Sequence, residues 1–265
     1  MFVDTHCHLP MMVKKEFDTK LQKNHFPLIQ KILDDAKQNN VERIITIATS
    51  IPESHNAITI AKQFENVYAT IGIHPCDCKE LWRQDFEEIT KLIKCKNTIV
   101  GIGETGLDFY HKPFFKQRQI DAFKFHIELA LENNLPLIIH IRESVDEVLK
   151  ILEQYKNQAH GVAHCFSQSL DIAKLFIDWN FFIGIGGPIT YPKNFTLRNI
   201  VKNISLEKIV LETDAPFLPP QPYRGQQNHP KYIPLIAQEI ANVKEVVLEV
   251  VEEVTTKNAC KLFGI

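Results

Sequence analysis

The sequence predicts an α/β protein folded as one (β/α)8 barrel, the TIM-barrel class, and two observations predict it. Eight short apolar, β-branched runs alternate along the chain with longer stretches of helical spacing. Almost every candidate metal ligand stands at the C-terminal end of one of those runs. A barrel gathers those ends on a single face.

The strand-length runs are Phe2–Thr5, Arg43–Ala48, Val67–Ile73, Thr98–Ile102, Leu137–Ile141, Gly161–Cys165, Phe181–Ile185 and Lys208–Leu211. Helical spacing occupies Leu28–Asn39, Glu53–Phe64, Phe86–Cys95, Gln117–Glu132, Ser144–Tyr155, Leu170–Asp178 and Phe195–Ile204, with two more stretches at Tyr232–Ala241 and Lys244–Lys261. Phe123, Ile127, Ala130 and Leu131 form an apolar stripe, and Asn133-Asn134 before Pro136 closes that helix. Strict alternation argues for parallel βαβ units, and eight of them point to a closed barrel. The rival is an open doubly wound sheet, which needs a phosphate-binding glycine turn after the first strand. Here the first strand runs into His6-Cys7-His8, and the glycine-rich GIGETG and GIGG segments fall on later strands.

The 265 residues show no linker or low-complexity segment, so a single domain over 1–265 is expected. A chain of this size buries enough surface to fold without a disulfide or structural metal, which makes any metal functional. A formal net charge of −2 excludes bulk electrostatic attraction to nucleic acid, so such a substrate must be held locally. The six cysteines form no zinc-finger spacing. There is no basic-then-apolar leader and no apolar run of membrane-spanning length. A cytoplasmic protein with reduced thiols, not associated with membranes, is expected.

The first strand ends Asp4-Thr5-His6-Cys7-His8. Period-two alternation puts Asp4, His6 and His8 on one face, where two imidazoles can hold a cation and Asp4 can orient one of them. Cys7 points into packing. Glu104 directly follows the fourth apolar run, where an uncompensated carboxylate is expensive, and its two oxygens can bridge two cations. Asp108 either lines the site or holds its loop. His140 and His164 end the fifth and sixth strands as ligands to a second cation. Arg142 either binds a phosphate with its planar fork or pairs with an acid such as Glu143. Asp214 ends the eighth strand, placed to bind a metal and to orient or deprotonate a water, with Glu212 as its neighbour on the same face. His74 ends the third strand and faces substrate. His126 reads as a core histidine; His25, His55, His111 and His160 read as surface.

Together these residues resemble the TatD family of metal-dependent hydrolases and nucleases, within the amidohydrolase superfamily. The matching segments are FVDTHCHL at 2–9, GIHP at 72–75, GETGLD at 103–108, H-x-R at 140–142, HCFS at 164–167, ETDAP at 212–216 and R-x-x-x-N-x-P at 224–230. The resemblance implies a two-metal site, with His6, His8, Glu104 and Asp214 on one metal and Glu104, His140 and His164 on the other. It implies phosphate contacts from His74, Arg142, Arg224 and Asn228. It also implies a deoxyribonuclease working 3′-to-5′ on single-stranded DNA, or on RNA. The chain departs from the family at Pro10, where an acid is common, and at Cys76, where a second histidine is common. These departures bear on substrate preference.

The expected reaction is attack of a metal-activated water on a phosphodiester, with Asp214 and Glu104 as catalytic residues and two Mg²⁺, Mn²⁺ or Zn²⁺ ions as cofactors. Hydrolysis of a lactone, amide or aminoacyl ester at the same metals is the alternative, and a non-catalytic metal-binding scaffold is the third reading. A monomer is expected.

Overall fold

The computed structural model describes residues 1–78, 82–94 and 98–265. Eight strands form one sheet in strict sequence order, and every adjacent pair is parallel. They are β1 (Phe2–Cys7), β2 (Val41–Thr46), β3 (Val67–Ile71), β4 (Ile99–Asp108), β5 (Leu137–Arg142), β6 (Gly161–Ala163), β7 (Phe181–Ile185) and β8 (Ile209–Leu211). The sheet closes just beyond β8. Cys7 bridges Ala215, the His8 amide donates to Ala215 O at 2.7 Å, and the Asp214 amide donates to His6 O at 2.8 Å. That closure decides for the barrel against the open sheet.

The helices are α1 (Leu9–Lys14), α2 (Phe26–Gln38), α3 (Ile51–Gln63), α4 (Trp82–Leu92), α5 (Lys116–Asn133), α6 (Val145–Leu152), α7 (Leu170–Asp178), α8 (Phe195–Asn203), α9 (Ile233–Lys244) and α10 (Leu248–Phe263). Each expected helix is present within a few residues; Cys95, at the end expected for α4, lies outside the described residues. Asn134 caps α5 in the left-handed conformation at φ 52°, as the Asn-Asn-x-Pro signal requires. The last helical stretch begins later than expected because Glu245 leaves α9 at φ 57°, and α10 starts only at Leu248. The short α1 lacks enough residues to show a period and was not expected. No described helix is long and apolar enough to cross a membrane, and the five described cysteines are free.

Two apolar layers result. One lies between strands and helices and includes Phe123, Ile127, Phe176 and Ile236. The other includes Ile45, Ile138, Val162, Phe182 and Val210, packed with Leu262 and Phe263 from the end of α10. Ile138, Val162 and Val210 stand two residues before His140, His164 and Glu212. Period-two alternation therefore carries the row that fills the barrel directly into the polar residues at its top.

Strand β4 runs six residues past its expected end, and glycine permits it. A Cβ at Gly106 would lie 2.1 Å from His140 O, and its φ is +134°. Only glycine lets β4 stay this close to β5. The GIGETG segment is thus a strand-packing device that delivers Glu104 and Asp108 to the rim.

Candidate metal centre

The strand ends converge on an open pocket of about 560 Å³, lined by His8, Phe17, Thr49, His74, Cys76, Asp77, Glu104, His111, His140, His164, Asp214 and Phe217. Within it Glu104 faces two ways. Its Oε2 lies 3.5 Å from His6 Nε2 and 3.8 Å from His8 Nε2. Asp214 Oδ1 completes this first group at 3.6 Å and 3.3 Å from the same two nitrogens. The other oxygen, Oε1, lies 2.9 Å from His140 Nδ1 and 3.2 Å from His164 Nε2.

Polar groups behind three of the rings fix which nitrogen faces inward. His8 Nδ1 donates to Ile47 O at 3.2 Å, leaving the Nε2 lone pair for the pocket. His140 Nε2 donates to Asp108 Oδ2 at 3.0 Å, leaving Nδ1 toward Glu104. His164 Nδ1 faces Glu212 Oε1 at 3.5 Å, which leaves Nε2 inward. Carboxylates or carbonyls behind ligating imidazoles are the usual supports of a metal site. His74 is different. Its Nδ1 accepts the Cys76 amide at 3.2 Å, so a neutral ring carries its proton on Nε2, 3.6 Å from Glu104 Oε1. His74 is a donor to the pocket rather than a ligand.

The metal-free donors fit a cation by their own electrostatics. His6 Nε2 and His8 Nε2 stand 3.3 Å apart, and two protons cannot occupy that gap together. Burial alone would raise the Glu104 pKa, yet the His164 imidazole and the hydrogen bond with His140 hold it well below the usual carboxylate range. Asp214 is likewise lowered against its burial, by His8 and His6. Burial works to lower His164, and Glu104 with Glu212 reverse this and raise it well above the ordinary value. His8 and His140 are raised against burial, by Asp214 and by Asp108 respectively. Protons thus hold together carboxylates and imidazoles that a divalent cation would hold instead. Burial and the neighbouring His140 push His74 down to about 3, keeping it neutral.

Some expectations need correction. Asn228 is fully buried; its Nδ2 donates to Thr213 O and Phe217 O at 2.7 Å each, and its Oδ1 accepts the His229 amide. With its polar atoms used, it braces the loop that carries Asp214 and has nothing left for a phosphate. Asp4 does not orient an imidazole side chain. Its Oδ1 accepts the Thr213 and His6 amides at 2.9 and 3.2 Å, and its Oδ2 accepts the Thr213 hydroxyl at 2.6 Å. It ties β1 to the segment after β8. His111 is exposed but not idle, since its Nδ1 lies 2.8 Å from Asp108 Oδ2.

Cys7 and His126 sit where the sequence puts them. Cys7 packs in the core against Met12. His126 is a satisfied core histidine, donating to Ala122 O and accepting the Ile73 amide. Of the two roles weighed for Asp108 the structure shows the loop one, its Oδ1 accepting the Tyr110 and His111 amides; buried and outside the pocket lining, it also supports His140 from behind. Arg142 makes no ion pair with Glu143; its guanidinium lies 4.7 Å from the Tyr110 ring centroid. Arg224 lies 4.6 Å from that of Tyr191. Both arginines are exposed and outside the pocket lining.

Sequence reasoning passed over Thr49, Phe17 and Phe217. Thr49 follows β2 and obeys the same strand-end rule, so it was findable. Phe17 lies in an aperiodic stretch held only by tertiary contacts. Lys14 Nζ bonds Glu53 Oε1 and Thr19 O at 2.6 Å each, the Asp18 amide donates to Glu53 Oε1, and Asn56 Nδ2 donates to Thr19 O. Anchored in this way, Phe17 stacks on Phe217 with centroids 6.4 Å apart.

The barrel, its strand-end carboxylates and its imidazoles define a metal-dependent hydrolase. The family model for TatD related DNases matches residues 3–264, and the chain belongs to the TatD family. It is 35% identical over 266 residues to the uncharacterized metal-dependent hydrolase YabD of Bacillus subtilis, covering all of both chains. It is 32% identical to the uncharacterized metal-dependent hydrolase YcfH of Escherichia coli K12, covering 99% of this chain and 96% of the relative. Among solved structures it resembles YjjV, a TatD homolog from Escherichia coli, with a TM-score of 0.89 at 27% identity over 100% of this chain and 98% of that one.

Proposed function

We propose that the chain is a two-metal phosphodiesterase, a deoxyribonuclease that shortens single-stranded DNA 3′-to-5′ and accepts RNA as a second substrate. The observation that supports it most is the division of Glu104, one oxygen toward His6, His8 and Asp214 and the other toward His140 and His164. In this reading His6, His8, Glu104 and Asp214 hold one cation, and Glu104, His140 and His164 hold the other.

Two divalent cations, Mg²⁺, Mn²⁺ or Zn²⁺, would when bound lower the pKa of a water and offset charge on the phosphoryl oxygens. The chain's own residues do the rest. Asp214 is kept ionised by His8 and His6, so its carboxylate can orient the attacking water and accept its proton. His74, neutral with Nε2–H inward, donates to a phosphoryl oxygen. Arg142 and Arg224, both exposed at the same end of the barrel, hold flanking phosphates by charge-assisted bonds. Phe17 and Phe217, 43% and 41% exposed at the pocket, offer ring faces on which bases stack regardless of sequence. Local contacts of this kind suit a chain with a net charge of −2.

The test is a panel of single-stranded DNA labelled at either end, RNA, a phosphate monoester and a lactone, each with and without EDTA. Metal-dependent loss of the 3′ label first is expected. Loss from the 5′ end would overturn the polarity, and turnover of the lactone with none of DNA or RNA would overturn the substrate class. Asp214→Asn should lower kcat by roughly 10²–10⁴-fold at full metal occupancy, the usual contribution of a positioned base. Asparagine is suitable because residue 214 sits at φ 59°, which Asn tolerates as Asp does. Wild-type turnover in this variant would remove Asp214 from its assigned role.

A further inference from the structure

A second cluster of metal-binding side chains stands outside the donor set just described. Cys76, Asp108 and His111 present a thiol, a carboxylate and an imidazole whose ligand atoms all lie within 4.8 Å of one another. They come from separate parts of the rim: Cys76 from the short turn after β3, Asp108 from the last position of β4, and His111 from the loop beyond it. Cys76 and His111 are exposed and line the pocket, while Asp108 is buried beneath them.

We infer that Cys76 Sγ, Asp108 Oδ2 and His111 Nδ1 form an outer site for a thiophilic divalent cation of the Zn²⁺ or Co²⁺ class, with its open position facing the pocket.

The geometry supports this assignment atom by atom. Asp108 Oδ1 is committed to the Tyr110 and His111 amides at 3.0 and 2.9 Å, which fixes the carboxylate and aims Oδ2 outward. His111 Nδ1 already faces Oδ2 at 2.8 Å. Ideal tetrahedral coordination by one sulfur, one nitrogen and one oxygen puts ligand atoms about 3.3–3.6 Å apart. In the cluster the His111–Asp108 edge is 2.8 Å and no edge exceeds 4.8 Å, so an adjustment of the two exposed side chains closes it on a cation. Three protein ligands leave one position of a tetrahedron for a water or a substrate oxygen. Softness separates this site from the inner one, because the inner donors are imidazole and carboxylate alone.

The site is coupled to the inner centre through one atom. Asp108 Oδ2 also accepts from His140 Nε2 at 3.0 Å. A cation on the outer face of that oxygen draws on the lone-pair density that orients His140. Loading the outer site therefore adjusts His140 as well as adding a positive charge beside the pocket.

The assignment does not rest on the nuclease reading, and its test reads no activity. Metal-free protein is titrated with Co²⁺ under reducing conditions, following the near-ultraviolet thiolate-to-cobalt charge-transfer band and the stoichiometry by equilibrium dialysis. Wild type should develop the band and bind one equivalent more than Cys76→Ala, which should lack the band. His111→Ala should keep its fold, because the side chain is 61% exposed, and should need at least about 10-fold more cobalt for the same band, the lower end of what losing a ligand-shell partner does. Cys165→Ala is the control, since Cys165 neighbours His164, and it should keep the band. Absence of the band in wild type, its persistence in Cys76→Ala, or its loss in Cys165→Ala would each overturn the assignment. Thermal unfolding of each variant confirms that the fold is intact.

Discussion

Asp4 supplies the sharpest test of how this site is held. It is fully buried and accepts three hydrogen bonds, from the His6 amide, the Thr213 amide and the Thr213 hydroxyl. In Asp4→Ala the hydroxyl can turn to His6 O, 3.5 Å away, but the two amides lose the acceptor they share. Each buried group left unsatisfied costs about 1–3 kcal/mol, so the variant should lose about 2–6 kcal/mol of stability. Asp4→Asn should behave differently. Its carbonyl can keep both amides, and its NH₂ can donate to the Thr213 oxygen. Burial pushes the Asp4 carboxyl up to about 7, against its hydrogen bonds from Thr213, so near neutrality a neutral side chain is already well tolerated. The expected change for Asn is below about 1 kcal/mol. Urea unfolding of metal-free protein measures both, with the midpoint moving and the slope unchanged. Activity should fall with stability in the alanine variant alone, because Thr213 adjoins Asp214. The reasoning fails if Asn destabilises as much as Ala. It also fails if Ala weakens metal binding at unchanged stability, which is what a role in orienting an imidazole would produce.

Other expectations follow from the same geometry. Asp108→Asn removes the charged acceptor behind His140 and should weaken metal affinity or activity by about 10–100-fold; calorimetric titration with an unaltered affinity would refute the support assigned to it. Because neighbouring carboxylates raise His8, His140 and His164 above the ordinary imidazole value, protons compete with metal there, so uptake should release protons and its affinity should rise with pH; calorimetry in buffers of different ionisation enthalpy would show no buffer dependence if this were wrong. His126 is buried and pushed down to about 4 by desolvation, from an ordinary 6.5. The unfolded chain binds its proton first on acidification, so stability present above pH 6.5 is lost as pH falls toward 4, by about 3 kcal/mol in all. His126→Gln should flatten that part of the stability–pH curve, and an unchanged slope would count against the assignment.

The sequence by itself determined the strand–helix alternation and the rim it implies. Both are local: period-two and helical spacing are written in consecutive residues, and a parallel barrel must bring every strand's C-terminal end to the same face. That logic reached His6, His8, Glu104, His140, His164 and Asp214, whose side chains do meet around Glu104. Tertiary structure decided what depends on distant partners. Only folding puts Thr213 beside Asp4, which turned a supposed imidazole-orienting carboxylate into a clasp between the first strand and the segment after the last. Only folding closes Thr213 O and Phe217 O around Asn228, withdrawing from the pocket a residue whose motif pointed toward phosphate. The aromatic pair Phe17 and Phe217 and the Cys76–Asp108–His111 cluster were silent for the same reason. Phe17 and Phe217, like Cys76 and the Asp108–His111 pair, come from distant segments, and no period links residues whose only relation is that the barrel's closure brings them together.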